Sequence, residues 1–266
     1  MSSTAPNLSN WCRIAPEGSS IQHIPDLDSL RRHLSEGAVL VAFDTESYGH
    51  FHKDRLRPTG EASELGFAAL QWPRPALRLN VPCKDFAYGN GVELLTVQLQ
   101  QRTCKSLERT TSPIKHVNGL EETKQNIYQF LPESTKVKVI LVGYHLSTEF
   151  RWIAMNCPAL IKSFAAWVDV QELVMQQHAP RSTDTPSRQV SLKAALHAMG
   201  LAISPNTHKQ HRAANDASRT LQLLSGFLMS RPFTPTPSHH PHSESGVHES
   251  ALLVASIPES RKPEEV

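Results

Sequence analysis

The chain has 266 residues, enough for one substantial domain with tails or for two small domains. Hydrophobic residues make up 39% of it, less than in a typical globular domain, which indicates that part of the chain stays outside the core. The net charge of +2 is too small to predict nucleic-acid binding by itself, so any basic path must be local.

Cysteine usage and the length of the apolar runs limit the class of protein further. The cysteines are far apart and contain no Cys-x-x-Cys pair, which predicts neither a disulfide framework nor a structural zinc site; they are Cys12, Cys83, Cys104 and Cys157. The first ten residues are polar, and no apolar run is long enough to cross a bilayer. We therefore expect a non-secreted protein of the nucleus or the cytoplasm, with no membrane partner.

The N-terminal part of the chain changes from polar to periodic. Residues 1–20 are rich in Ser, Pro and Asn, which predicts a disordered leader. Residues 26–36 have leucines at helical spacing, with Asp26 or Asp28 available as the N-cap and Gly37 after the last turn. A short helix is therefore predicted directly before the first long apolar run.

That apolar run, residues 38–43, is typical of a buried central strand, and it ends in Asp44 and Glu46. Alternate side chains of a strand share a face, so both carboxylates project from one side, at the carboxyl end, where open α/β sheets place their ligands. Neighbouring carboxylates repel each other unless a cation lies between them, and oxygen ligands suit Mg²⁺ or Mn²⁺. The pair predicts a divalent-metal site; the alternative is a strand that runs into a solvated turn.

The next segments predict a mixed pattern of strands. Residues 63–72 and 78–81 are predicted as strands, antiparallel because the turn between them is short. Residues 82–99 give a weak signal, and residues 100–119 show no period and are interpreted as a loop or insertion.

A strand followed at once by a helix is predicted at residues 136–153. The strand covers residues 136–145, and Ser147 is the predicted N-cap of the helix. This places Glu149 in the first helical turn, at the carboxyl edge of the sheet and on the same rim as Asp44 and Glu46.

The rest of the domain is predicted as short elements and one long helix. The predicted elements are a strand at 165–170, a helix at 171–177, a helix from the cap Ser191 to Gly200, and an amphipathic helix at Ala213–Met229. Asp169 is interpreted as structural. From residue 231 Pro, Ser, His and Glu dominate, which predicts a disordered tail and leaves one domain at residues 21–230.

Three separated segments together form one pattern: Asp44-x-Glu46 on a strand, Glu149 in a first helical turn, and His211-x-x-x-x-Asp216 at the start of the last helix. Their order and spacing resemble the DEDDh branch of the DnaQ-like 3′–5′ exonucleases, which have a ribonuclease-H-like fold. Either helical carboxylate alone could simply favour a helix N-terminus through the dipole. The combination makes that reading weaker.

Further segments extend the resemblance. Glu64-Leu65-Gly66 is similar to the family's Glu-Ile-Gly strand, and residues 169–173 are similar to its Asp-Thr-x-x-Leu segment. The stretch from Gly143 to Trp152, together with the polar tails, looks most like a fungal branch named for supporting a DEAD-box helicase of mRNA export. The resemblance covers roughly residues 36–230.

The resemblance implies an α/β fold with a mixed central sheet flanked by helices, and hydrolysis of single-stranded RNA or DNA from the 3′ end with two Mg²⁺ or Mn²⁺ ions. The implied site consists of metal ligands Asp44, Glu46, Glu149 and Asp216, the general base His211, and substrate contacts Thr45, Glu64, His145 and Arg212. His211 is preferred to His197 or His208 because of its spacing to Asp216.

One departure from the family pattern leads to a second hypothesis. The family has Asp where this chain has Glu149, which keeps the charge and adds one methylene. Two-metal chemistry depends on ions held about 3.5–4 Å apart, so a displaced carboxylate weakens one ion site. The alternative is therefore a weakly active or inactive relative that binds RNA or a partner protein in mRNA processing or export. A scaffold that needs no metal is a third option.

Overall fold

A sheet of seven strands lies at the centre of the structure. The computed structural model describes residues 21–47, 62–74, 76–99, 112–178, 190–202 and 212–230, all of them in a unit that spans Met1–Arg231. The strands are β1 (Gln22–His23), β2 (Ala38–Ser47), β3 (Ala62–Trp72), β4 (Glu93–Gln98), β5 (Ile114–His116), β6 (Val139–Gly143) and β7 (Ala166–Asp169). Their order in the sheet is β1-β7-β6-β2-β3-β4-β5.

The sheet is mixed, because β3 runs antiparallel to both of its neighbours while the other pairs are parallel. On one side of β2, Asp44 lies opposite Gly66 and Glu46 opposite Glu64 of β3. On its other side, β2 runs parallel to β6, so both of these strands end at the same edge of the sheet. The prediction of an α/β fold with a mixed central sheet is confirmed.

Helices cover both faces of the sheet. They are α1 (Leu27–Leu34), α2 (Cys83–Gly89), α3 (Leu120–Phe130), α4 (Ser147–Asn156), α5 (Val170–His178), α6 (Leu192–Ala198) and α7 (Ala213–Met229), with a 3₁₀ turn at Pro158–Ser163. On one face, Val41 and Phe43 pack with Trp152 of α4. On the other, Leu40 packs with Leu221 of α7. Burial on both faces explains why the sequence of β2 is apolar without alternation.

The last helix, α7, has the predicted bounds but is not amphipathic in the expected sense. Nearly all of its residues from Ala213 to Phe227 are buried, and it lies against β2, β3 and α2. Its polar positions are buried with the apolar ones; Gln222, for example, is fully buried and its Nε2 donates to backbone carbonyls of the segment before α2. The amphipathic pattern predicts a helix with one solvent-exposed face, but α7 is buried on nearly all sides.

The strand that pairs with β3 on its outer side differs from the prediction. It is β4, in the region of weak signal, and residues 78–81 form no strand. Side chains hold that segment instead: Asn90 bonds the backbone N and O of Arg78 (2.8 and 3.1 Å), and Gln222 bonds two of its carbonyl oxygens (2.6 and 2.8 Å). These amides take the hydrogen bonds that a strand partner would have taken.

Most of the other predicted elements are present with shifted ends. The strands predicted at 63–72, 136–145 and 165–170 are β3, β6 and β7, and the helices predicted at 26–36, 171–177 and 191–200 are α1, α5 and α6. Asp26 is confirmed as an N-cap, since its Oδ1 accepts from Ser29 N at 2.7 Å. Ser191 caps α6 in the same way, with 3.2 Å to Ala194 N.

The interpretation of residues 100–119 as a loop is wrong in part, because β5 lies within that range. Residues 100–111 fall outside the described part of the chain, as do the predicted leader at 1–20 and the predicted tail at 231–266.

Cys83 and Cys157 are buried free thiols. None of the helices in the described ranges combines the length and the apolar character needed to cross a membrane.

Candidate metal centre

Three carboxylates meet where the carboxyl end of β2 approaches the start of α7. Asp44, Glu46 and Asp216 each offer one oxygen, and these oxygens lie within 4.8 Å of one another. An octahedral Mg²⁺ with bonds of about 2.1 Å holds opposite ligands about 4.2 Å apart. Of three ligands at most one pair can be opposite, and adjacent ligands are about 3.0 Å apart, so the oxygens have to approach one another to bind one hard ion. The all-oxygen donor set fits Mg²⁺ or Mn²⁺.

The close approach of α7 to the sheet depends on Gly66 of β3, which lies directly opposite Asp44. A Cβ at this position would be 2.0 Å from both the carbonyl carbon of Ala213 and the amide nitrogen of Ala214. The first turn of α7 therefore rests on bare strand backbone. Only glycine permits this contact, which places Asp216 beside the end of β2.

Glu64 fastens the start of α7 to β3. Its side chain has no exposed surface; one oxygen accepts from Ala213 N at 3.0 Å and the other pairs with Arg212. Arg212 is the N-cap residue and makes no capping bond with its own side chain, so Glu64 satisfies an amide at the end of the helix. The predicted contacts of Glu64 and Arg212 with substrate stay predictions.

Glu149 lies beside the three carboxylates and is held by the residue between the first two. Its Oε1 accepts from Thr45 N at 3.1 Å and from Thr45 Oγ1 at 2.8 Å. The side chain is almost completely buried, and burial raises the pKa of Glu149 to about 7 against the opposing effect of the Thr45 hydrogen bonds. Glu149 is not one of the three residues whose oxygens converge.

Negative charge accumulates around Asp44. Burial raises the pKa of Asp44 well above its usual range, and the carboxylates of Asp216, Glu149, Glu46 and Glu64 raise it further. Within the described residues, no hydrogen bond or ion pair reaches the Asp44 carboxylate. Binding of a divalent cation would remove this repulsion, because a positive ion favours the ionised form of every carboxylate around it.

Asp216 has a cationic neighbour on its own helix. Arg219 Nη1 lies 2.6 Å from Asp216 Oδ1, and both side chains are largely buried. Arg219 was not among the residues predicted for the site, although a spacing of three residues on a helix is a recognisable signal for such a pair. Arg219 thus holds one oxygen of the Asp216 carboxylate in place.

The turn that begins α4 is organised by Asp169, at the end of β7. The Asp169 carboxylate accepts from the amides of His145 (2.9 Å), Leu146 (3.0 Å) and Gln171 (2.9 Å). The interpretation of Asp169 as structural is confirmed. The predicted N-cap Ser147 is wrong: Leu146 is the N-cap and makes no side-chain capping bond, while its own amide is bound by Asp169.

The predicted substrate contact His145 has φ of 66° in this turn and is exposed. Its contact with substrate stays a prediction. The proposed general base His211 lies outside the described residues, immediately before Arg212. Of the four predicted metal ligands, three converge, and the fourth, Glu149, lies beside them with its Oε1 hydrogen-bonded to Thr45.

Fold and site together define an α/β protein with a candidate divalent-metal centre at the carboxyl end of its central strand. Comparison of the chain with protein-family models and with curated proteins finds no match to either. A function can therefore be proposed only from the residues of the candidate metal centre.

Proposed function

We propose that the protein is a metal-dependent 3′–5′ exonuclease that acts on single-stranded RNA or DNA. The observation that supports this most is the convergence of Asp44, Glu46 and Asp216 at the carboxyl end of β2, with Glu149 beside them. Segments far apart in the chain thus supply carboxylates to one place, in the order of the exonuclease pattern. The nuclear or cytoplasmic location and the partners in mRNA export or RNA processing remain part of the proposal.

The residues of the site would have separate tasks in this reaction. Asp44, Glu46 and Asp216 would hold divalent ions, which supply an activated water and stabilise the charge on the phosphate. Glu149 would keep Thr45 in place and so fix the directions of Asp44 and Glu46. In the family pattern, His211 accepts the proton of the attacking water, a task suited to an imidazole near neutral pH.

The test is hydrolysis of single-stranded oligonucleotides labelled at either end, with Mg²⁺ or Mn²⁺ and with a chelator. We expect a 3′-labelled substrate to release labelled mononucleotide at once and a 5′-labelled substrate to shorten stepwise, in both cases only with the ion. Asp44→Asn should reduce the rate at least about 100-fold, because removal of a ligand weakens the ion and its water.

Glu93→Gln is the matched control for this assay, since Glu93 is an exposed carboxylate on β4. It should hydrolyse at the wild-type rate. Equal rates for wild type and Asp44→Asn, or hydrolysis that survives the chelator, would contradict the proposal.

Glu149 gives a specific reason to keep the second candidate, a weakly active relative that binds RNA or a protein of mRNA processing. Oε1 of the longer Glu149 side chain accepts two hydrogen bonds from Thr45, and Glu149 is not one of the three residues whose carboxylate oxygens converge. If the chain is adapted to glutamate, Glu149→Asp loses the bonds to Thr45, and we expect the rate to fall about tenfold or more. Single-turnover hydrolysis measures this change.

A rise in rate for Glu149→Asp would instead favour the weakly active candidate, because the shorter side chain of the family pattern would then restore a ligand. Glu149→Gln is the control for size. It keeps the length and one acceptor oxygen for Thr45, so its effect on the rate reports the charge of Glu149 rather than its packing.

A further inference from the structure

An exposed aromatic ring and two arginines meet at the C-terminal end of α2. Tyr88 is 91% exposed. The Arg78 side chain lies over Gly89 and the Arg74 guanidinium over Gly91: an added Cβ would be 3.3 Å from Arg78 Cδ in the first case and 3.2 Å from Arg74 Nη2 in the second. The two glycines thus allow both arginines to lie close to the backbone that follows Tyr88.

This end of α2 is firmly built. Asn90 is buried, and its amide bonds Arg78 N (2.8 Å), Arg78 O (3.1 Å) and Phe86 O (2.8 Å). The segment that carries Arg78 is therefore tied to the helix end, and the next turn continues through Gly91 at φ +60°. The backbone of Arg78 is thus fixed beside the helix end that carries Tyr88.

The two guanidinium groups keep their hydrogen-bonding capacity. In the described ranges, neither Arg74 nor Arg78 forms a side-chain hydrogen bond or an ion pair, and the nearby exposed carboxylates Asp85 and Glu93 form none with them. Structural arginines usually have a carboxylate or a carbonyl as partner, as Arg212 and Arg219 do here. Two guanidinium groups without a partner, beside an exposed aromatic ring, are suited to bind an anionic ligand that also carries flat apolar groups.

We propose that Tyr88, Arg74 and Arg78 form a binding surface for single-stranded nucleic acid, with a base stacked on the Tyr88 ring and phosphates bound by the two arginines. An exposed ring stacks with any base, and a guanidinium binds phosphate through two parallel hydrogen bonds. An acidic protein segment would satisfy the arginines but would leave the ring without a stacking partner. The chemistry therefore favours the nucleic acid.

The surface deepens the proposed function and rests on it, because its position relates it to the carboxylates. Cys83, at the start of α2, donates to the carbonyl oxygen of Asn215, the neighbour of Asp216 (3.4 Å). Tyr88 comes five residues later, about 8 Å along the helix axis. This end of α2 leads away from the carboxylates, since Glu93 lies opposite Ala69 of β3 whereas Asp44 lies opposite Gly66. A strand with its 3′ end at Asp216 would therefore extend along the sheet by several nucleotides to reach Tyr88.

The experiment measures binding of a labelled single strand of about 12 nucleotides, and of a trinucleotide, to the Asp44→Asn protein with a chelator present, so that the strands stay intact during the measurement. Tyr88→Ala should weaken binding of the long strand about 5- to 100-fold and leave the trinucleotide unchanged, while Tyr88→Phe keeps the ring and the affinity. The combined Arg74→Ala and Arg78→Ala variant should reduce the slope of log affinity against log salt by about 1.4.

Tyr128→Ala is the matched control, since Tyr128 is a partly exposed tyrosine on α3, which packs with the opposite core cluster. Equal affinities for Tyr88→Ala and Tyr128→Ala would overturn the surface, and so would an acidic peptide that binds these residues when the oligonucleotide does not. If Tyr88→Ala weakens binding but the wild type hydrolyses nothing, the binding surface is supported and the exonuclease proposal is contradicted. If the wild type hydrolyses the substrate and Tyr88→Ala leaves binding unchanged, the exonuclease proposal is supported and the binding surface is contradicted.

Discussion

Asp44→Asn should melt about 3–6 °C above the wild type in the absence of divalent ions. The Asp44 carboxylate is surrounded by four others, and in the described structure it has no donor or cation of its own. A neutral amide removes that repulsion and can donate to Glu46 or Asp216. We expect a gain of about 1–2 kcal/mol, which corresponds to this temperature shift for a domain of this size.

Thermal unfolding with a chelator and with Mn²⁺ measures the effect. The ion should stabilise the wild type in proportion to its binding and should affect Asp44→Asn little, so the difference in melting temperature shrinks or reverses when Mn²⁺ is added. Glu93→Gln, which neutralises an exposed carboxylate, should melt like the wild type in both conditions. An Asp44→Asn protein that is less stable than the wild type with the chelator would show that the carboxylates are not in mutual repulsion.

Gly66→Ala should lower the free energy of unfolding by about 3 kcal/mol or more and abolish stabilisation by Mn²⁺. Its methyl group would collide with backbone atoms of Ala213 and Ala214 at 2.0 Å, which no side-chain rotation relieves, so the start of α7 must move away from β3. Such overpacking is costly. Because Asp216 lies in the same turn, the movement also separates it from Asp44.

The matched control for this prediction is Gly226→Ala on the same helix. A Cβ there would meet only side-chain atoms, at 3.4 Å or more, and alanine favours a helix over glycine by up to about 1 kcal/mol. We expect Gly226→Ala to be neutral or stabilising and to keep the response to Mn²⁺. Chemical denaturation with and without the ion distinguishes the two variants. A Gly66→Ala protein with wild-type stability would show that the packing of α7 against β3 does not require a residue without a side chain at position 66.

The parts of the site that the sequence predicted are those coded by local pattern. The apolar run before Asp44 admits few structures other than a buried strand, and the helix at Ala213–Met229 has the same bounds in prediction and structure. Asp44 and Glu46 share a face because a strand alternates. Their meeting with Asp216 followed from the order of the pattern and is visible in the converging oxygens.

The parts that the sequence could not predict depend on contacts between distant segments. Nothing local marks Glu64 as the acceptor for Ala213 N, or Asp169 as the acceptor for Leu146 N, because both acceptors lie on distant strands. The strand predicted at 78–81 failed for the same reason, since Asn90 and Gln222 hold that segment from outside. Glu149 lies at the edge of the sheet where the sequence places it, but its hydrogen bonds to Thr45 could not be predicted.

The central position of α7 has a consequence for how the protein is made. Asp44 and Glu46 leave the ribosome early, whereas Asp216 belongs to the last helix that the structure describes, and sheet and helix join through buried contacts that the earlier segments cannot make alone. A nascent chain that lacks α7 therefore carries an incomplete set of ligands. The candidate metal centre is therefore assembled only after α7 has been synthesised and has packed against the sheet.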